Sequence, residues 1–349
     1  MERRNRIYLS GNTTFYIIIV FLAALAGIFF DHPHLAMWFG FAVAGYAAVS
    51  NDSIQTLGTF LSSNRKVDWR LLWLFIGGIM VVTVTYGWLT YNGDISFHRL
   101  SAIPQPQQFS FLQILAPVVL IVLTKYKFPV STTFLILATF SSSKTIQGML
   151  EKTFFGYVLA FVLAFVVWGC IGYIVNRNRT KIERKLTKRQ ERRWRVFQWL
   201  STGFLWSAWL AQDNANAAVF LPREISFEQL LIVLVFMVSM IGFTLYRRGG
   251  EIQDVITEKT DTLYVKSATA IDFVYAVILV YFKWLNHLPM STTWVFLGLL
   301  AGREIALRAT IHKDQPYSRT LRLVKNDLLR AGFGLGVSLA LALFANSHL

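Results

Sequence analysis

Two kinds of polar string stand in otherwise apolar surroundings in this chain, and each occurs twice. One is Asn51-Asp52-Ser53-Ile54-Gln55, answered by Gln212-Asp213-Asn214-Ala215-Asn216. A carboxylate at bilayer depth costs on the order of 3 kcal/mol even on the lenient insertion scale, so such a residue ordinarily faces a cavity and a ligand. The spacing of Asp52 to Gln55, and of Asp213 to Asn216, puts a carboxylate and a carboxamide on one helical face. Their hard oxygens suit Na⁺ or a proton. Asn51, Asp52, Gln55, Gln212, Asp213 and Asn216 are therefore the expected cation-binding or coupling residues, with Asp52 and Asp213 as metal ligands if the ion is Na⁺. For either string alone, a helix end at the interface is the plainer alternative. A third carboxylate, Asp272, lies within a later apolar stretch, with Gln113 near the matching place earlier in the chain. It either completes the cation set or makes a structural hydrogen bond.

The other recurring string is Pro129-Val130-Ser131-Thr132-Thr133, answered by Pro289-Met290-Ser291-Thr292-Thr293. Proline suits the first turn of a helix, so a helix is expected to begin at each. Hydroxyls and free backbone N–H groups at a helix N-terminus make an oxyanion site, aided by the positive end of the dipole. Ser131, Thr132, Thr133, Ser291, Thr292 and Thr293 are the expected anion-binding residues. Ordinary N-capping is the competing explanation. If both helices start within the membrane, as discontinuous transporter helices do, their N-termini converge on one anion.

The elements that must position these strings are membrane helices. Of 349 residues, 54% are hydrophobic and only 15% charged, and mean hydropathy is positive. Charge-free stretches run over Ile7–Phe30, Leu71–Gly93, Leu100–Thr124 and Thr153–Asn176, each near or above the roughly 20 residues that span hydrocarbon. Shorter ones lie at His34–Asn51, Val196–Gln212, Gln229–Tyr246, Phe273–Phe282 and Ala331–Asn346. A buried helix of a soluble enzyme explains one such stretch but not the series. The net charge of +15 sits in short loops beside apolar runs, so it reports orientation rather than nucleic-acid binding. The single Cys170 excludes a disulfide framework and a cysteine metal site, and no cofactor is expected beyond a coupling ion.

The two polar strings recur in order at a shared offset of about 160 positions, which reads as an internal duplication. Between the copies, from Asn176 to Arg195, ten Lys or Arg residues accompany only Glu183 and Glu191, marking a cytoplasmic linker. With Arg3, Arg4 and Arg6 inside, basic loops at Arg65–Arg70 and Lys125–Lys127 also inside, and the nearly uncharged Tyr91–Gln108 loop outside, the first copy makes an odd number of crossings. An odd copy inverts its successor. Arg247, Arg248, Lys259 and Lys266, and later Arg303 to Arg330, then fall inside. The stretch after the first Ser-Thr-Thr string counts as one short crossing, giving about eleven crossings in all. The expected fold class is an all-α polytopic membrane protein: two inverted repeats with discontinuous or re-entrant helices, plus one extra N-terminal transmembrane helix. Its parts are residues 1–32 (extra helix), 33–176 (first repeat), 177–195 (basic cytoplasmic linker) and 196–349 (second, inverted repeat). The expected location is the plasma (inner) membrane, with N-terminus and linker cytoplasmic and C-terminus outside.

Together, the Asn-Asp string followed by Gly58-Thr59, the two Pro-x-Ser-Thr-Thr strings and the inverted halves resemble the inorganic phosphate transporter (PiT) family. Gly249-Gly250 followed by Val255-Ile256 is similar to the loop before that family's second triplet. The resemblance implies a carrier of phosphate, some members using Na⁺ or H⁺ and relatives carrying sulfate, and homodimers are common in the family. Asn51, Asp52, Asp213, Asn216 and both triplets match position by position. Gln55 and Gln212 stand where the family often has Asn, and Phe134 and Trp294 where a histidine commonly follows the triplet. Ile76 or Gly77 stands near a frequent Glu, while Asp272 lies near another.

The expected function is cation-coupled (Na⁺ or H⁺) secondary transport of inorganic phosphate by alternating access. The alternatives are a sulfate or other oxyanion carrier of the same fold, or a transporter-derived sensor or scaffold without transport. A membrane enzyme is not expected, because no metal cluster or histidine-activated nucleophile stands near the polar strings. The expected partners are phosphate or a similar oxyanion, Na⁺ or H⁺, and the lipid bilayer, with no nucleic acid.

Overall fold

A computed structural model describes residues 11–126, 128–177, 187–247, 265–311 and 316–346. Side chains at positions 11, 52–55, 175 and 176 lie outside that description, and so do the Gly249-Gly250 and Val255-Ile256 strings and most of the basic linker. Within the described residues the chain is helical, without strands, as the apolar stretches predict. Only helices satisfy every backbone group internally in hydrocarbon without closing a barrel. Among the described residues six helices are long and apolar enough to cross a membrane, and the chain is an integral membrane protein.

In chain order the long helices are α1 (Gly11–Phe29), α2 (Pro33–Ser63), α3 (Trp69–Thr90), α4 (Phe111–Lys125) and α5 (Ser143–Arg177). After these come α6 (Lys188–Asp213), the single turn α7 (Ala215–Ala218), α8 (Phe227–Tyr246), α9 (Val265–Leu285), α10 (Thr292–Thr310) and α11 (Tyr317–Asn346). Local chemistry sets several starts. Pro33 opens α2, Asp68 caps α3, and Ser110 with Gln113, Thr187 with Gln190, and Ser226 with Gln229 form reciprocal capping boxes.

Pairing follows the inverted order. α3 and α8, which hold equivalent places in the two halves, run antiparallel: Trp73 Nε1 donates to the Val238 carbonyl (2.9 Å) and Trp88 Nε1 to the Ile225 carbonyl (2.8 Å). α6 and α9 run parallel, tied by Ser201 to the Thr269 carbonyl (2.9 Å) and by Gln212 to the Leu279 carbonyl (2.7 Å). α5 and α10 also run parallel, and so closely that a Cβ on Gly298 or Gly302 would collide with the carbonyl of Tyr157 or Phe161. Glycine is required there because two backbones meet, the small-xxx-small contact of membrane helices. α1 lies antiparallel on α4 through Tyr16–Tyr126 (2.5 Å) and Phe30–Phe111, with almost none of its residues buried. It is a peripheral helix.

One expectation fails. The stretch after the first Ser-Thr-Thr string is not a crossing: it forms a wide turn of helix (Thr133–Leu137) and a 3₁₀ turn (Ala138–Phe140) before the chain breaks at Ser141. At about 12 Å it cannot bridge roughly 30 Å of hydrocarbon. Gln113, at the start of α4, donates from Nε2 to the Thr139 carbonyl (2.9 Å), so the segment folds back along α4 as a re-entrant hairpin.

Candidate substrate site

The two Ser-Thr-Thr strings meet. Thr133 Oγ1 donates to the Met290 carbonyl (3.3 Å), and Thr293 Oγ1 donates to the Val130 carbonyl (3.4 Å). These are the same contact with the halves exchanged, since Val130 and Met290 each immediately precede their serine. The serines behave as caps. Ser131 Oγ accepts from Phe134 N (3.2 Å) and Ser291 Oγ from Trp294 N (3.3 Å), so the capping explanation holds for these two hydroxyl oxygens. Each hydroxyl hydrogen is left to donate elsewhere.

The second Asp string joins them. α6 ends at Asp213, and the break before α7 turns its carboxylate toward both triplets. Asp213 Oδ1 accepts from Thr133 Oγ1 (3.3 Å) and Asn216 Nδ2 (3.3 Å), while Thr292 Oγ1 donates to Oδ2. The carboxylate is 1% exposed. The hydroxyls of Thr133 and Thr292, both expected anion donors, here tie Asp213 to one triplet from each half. A hydroxyl has one hydrogen: Thr292 gives its own to Asp213, and Thr133 shares its own between Asp213 and the Met290 carbonyl. The first Asp string contributes Asn51, whose Nδ2 donates to the Val130 carbonyl (3.0 Å) and Thr132 Oγ1 (3.3 Å). The Asp52 and Gln55 side chains lie outside the described residues. Their backbone continues α2 unbroken, so the matched strings differ: one sits inside a helix and the other at a helix break.

Two carboxamide oxygens beside this junction, Gln212 Oε1 and Asn216 Oδ1, are buried without a hydrogen-bond donor. With Asp213 they supply the oxygen ligands that a hard monovalent cation takes. Asp272 is not part of the group. Its Oδ1 accepts from Thr59 Oγ1 and its Oδ2 from Thr202 Oγ1, both at 2.5 Å, in a fully buried niche between α2, α6 and α9. Thr202 stands about 16 Å along α6 from Asp213. The structural hydrogen bond weighed for Asp272 is thus present, and the carboxylate serves a separate place. Gln113, paired with it in the sequence, spends its amide on the α4 capping box and Thr139.

No protein-family model matches the chain. No curated protein matches it in sequence. Among solved structures, one described as "The sodium-dependent phosphate transporter" aligns over 94% of this chain and 100% of its own, with TM-score 0.58 and 16% identity. This chain has that transporter's fold. At such identity the likeness speaks for the architecture, and the residues of the site rest on the geometry above.

Within this fold, sequence reasoning missed a basic group on the α3–α4 loop side. Arg99 is 0% exposed, and its Nη1 donates to the carbonyls of Asn286 (2.8 Å) and Leu288 (3.2 Å), just before the second triplet. Lys152 Nζ holds the same stretch, donating to Asn286 Oδ1 (2.6 Å), the Leu288 carbonyl (2.7 Å) and the Asn286 carbonyl (3.1 Å). Thr153 Oγ1 accepts from Ser291 N (3.0 Å). Burial, and then the charges of Arg99, His98, Lys152 and Lys283, hold the His287 imidazole below the usual histidine range. The available signal was an arginine in a stretch otherwise charged only at Asp94 and a lysine at the edge of an apolar run. Neither stands out, because basic residues flank membrane helices everywhere in this chain.

Proposed function

We propose that this chain is a cation-coupled secondary transporter of inorganic phosphate. The observation that carries the reading is the reciprocal meeting of the two Ser-Thr-Thr strings on one buried carboxylate, in the fold of a protein described as a sodium-dependent phosphate transporter. The oxyanion is bound by the helix-start N–H groups and the hydroxyls of Ser131, Thr132, Thr133, Ser291, Thr292 and Thr293. Thr133 and Thr292 turn from Asp213 to the anion as the cation takes over the carboxylate. Asp213, with Gln212 and Asn216, holds Na⁺ or a proton, and Asn51, Asp52 and Gln55 act as the matching set of the first half.

Coupling follows from charge. A carboxylate and a phosphate dianion carry three negative charges between them, more than one fixed side-chain cation offsets in a low-dielectric site, so further positive charge enters with the anion. Alternating access rocks one repeat-derived bundle against the other about this junction. The halves are residues 33–176 and 196–349, joined by the cytoplasmic linker 177–195, with the extra helix at 1–32. The protein works in the plasma (inner) membrane, with its N-terminus cytoplasmic and its C-terminus outside, as a homodimer.

The test is uptake of labelled phosphate and sulfate into proteoliposomes, with and without a Na⁺ or H⁺ gradient. Gradient-dependent phosphate uptake, competed weakly by sulfate, is expected. Sulfate uptake exceeding phosphate moves the assignment to a sulfate carrier. Uptake of neither anion under any gradient leaves the protein a sensor or scaffold.

A further inference from the structure

We propose that Arg99 binds the oxyanion directly, as a resident cation of the substrate site, with Ser96 beside it; the inference rests on the oxyanion reading above. The argument begins with the guanidinium. Its Nη1 is committed to the two carbonyls of Asn286 and Leu288, which fixes the plane of the group. Its Nε and Nη2 are buried and make no hydrogen bond. These two nitrogens form one edge of the guanidinium fork, the edge that grips two oxygens of a carboxylate or phosphate side by side. A fully buried arginine with that edge unfilled leaves charged donors unsatisfied, a state that protein interiors rarely carry without a ligand.

Among the described residues, no carboxylate lies in ion-pair contact with Arg99. Asp94, the acidic residue of the same turn, is occupied by the Ser96 amide (2.6 Å), the His98 amide (2.9 Å) and the His98 ring (3.3 Å). Asp213 feels the Arg99 charge but gives its oxygens to Thr133, Thr292 and Asn216. Ser96 Oγ, 1% exposed, also has no partner, so one turn presents two unfilled polar side chains.

Placement ties this edge to the substrate site. Asn214 Nδ2, next to Asp213, donates to the Ile95 carbonyl (2.7 Å), so the Arg99 turn is docked on the helix break itself. Phe97 and His98 both take left-handed backbone angles (φ 56° and 61°), uncommon for such side chains and stabilised here by the Asp94 carboxylate. Those two residues turn the chain inward immediately before Arg99. Lys152 is a positioning residue, since its ammonium is spent on Asn286 and Leu288 and it fixes the carbonyls that orient the guanidinium. The ligand class is a tetrahedral oxyanion able to offer two oxygens to the fork, which phosphate does.

The experiment is equilibrium binding of labelled orthophosphate at fixed Na⁺ to purified protein: wild type, Arg99→Gln, Arg99→Lys and Ser96→Ala, each with a thermal melt. Arg99→Gln should weaken phosphate binding about 30-fold or more, Arg99→Lys about fivefold because charge survives without the fork, and Ser96→Ala about threefold. Wild-type binding with unchanged affinity in Arg99→Lys and Ser96→Ala overturns the inference, even if melting temperatures fall or Arg99→Gln does not fold. Wild type that binds no oxyanion contradicts the proposed function itself, so the two failures are distinguishable.

Discussion

The two Ser-Thr-Thr strings have nearly the same sequence and the same N-terminal chemistry, yet they stand on different supports. The second opens a regular helix, α10 (Thr292–Thr310), which grips the α5 backbone through Gly298 and Gly302. The first opens only the short segment Thr133–Phe140, clasped from the side by α11: Val130 meets Gly334, and Asn346 Nδ2 donates to the carbonyls of Ala138 (3.2 Å) and Ser141 (2.9 Å). Each triplet thus leans on the last helix of the opposite half. The approach segments differ in charge as well. Before Ser291 the backbone is held by Arg99 and Lys152, and before Ser131 by the neutral amide of Asn51. The recurring string has the same donors in both halves while its two mountings differ, one rigid and cationic, the other short and neutral.

That contrast can be broken at its shared point first. Asp213→Asn removes the charge that both threonines address, and phosphate uptake in proteoliposomes should fall by about a hundredfold or more while the helical content stays unchanged. Next is the rigid mounting. Gly302→Leu forces α10 off α5 and should lower thermal stability in detergent by about 3 kcal/mol, whereas Gly332→Ala, where a Cβ meets nothing within 4 Å, should leave it within about 0.5 kcal/mol. The short mounting should yield less. Asn346→Ala takes its donor from the Ser141 carbonyl and leaves the Ala138 carbonyl with the Ser141 amide alone, costing about 1 kcal/mol and reducing uptake several-fold.

The smallest effect concerns the cationic side. His287 should titrate below 6.5 by NMR, and Arg99→Gln should move it back up by removing one of the charges that oppose its protonation. With the folded value depressed, the unfolded chain binds the proton first. His287 therefore lowers stability as pH falls through the window just below 6.5, and the loss should shrink in Arg99→Gln.

Much of this was legible in the residues. Apolar length gave the helices, and the shared offset of the strings gave the halves that meet in space. What sequence periodicity misses is depth and direction. Nothing in Phe134–Phe140, as apolar as Trp294–Leu300, says that one run stops after two turns while the other continues. The difference lies in Ser141 and Ser142, whose hydroxyls bond backbone groups of their own neighbourhood, and in α11 arriving from the far end of the chain. The roles of the threonines were likewise invisible, because whether a hydroxyl serves an anion or Asp213 depends on where a helix ending some 80 positions away points its last residue. Asp272 looked like a member of the cation set by its apolar setting, but only packing reveals that Thr59 and Thr202 occupy both its oxygens.

The central claim, that one triplet from each half and Asp213 form a single phosphate site, is tested most directly by a double-mutant cycle. Phosphate dissociation constants would be measured for wild type, Thr133→Val, Thr292→Val and the double variant. Two residues that share one carboxylate and one anion should be non-additive, with a coupling energy of about 1 kcal/mol or more. Strictly additive losses, or unaltered phosphate affinity in either single variant, would contradict the account.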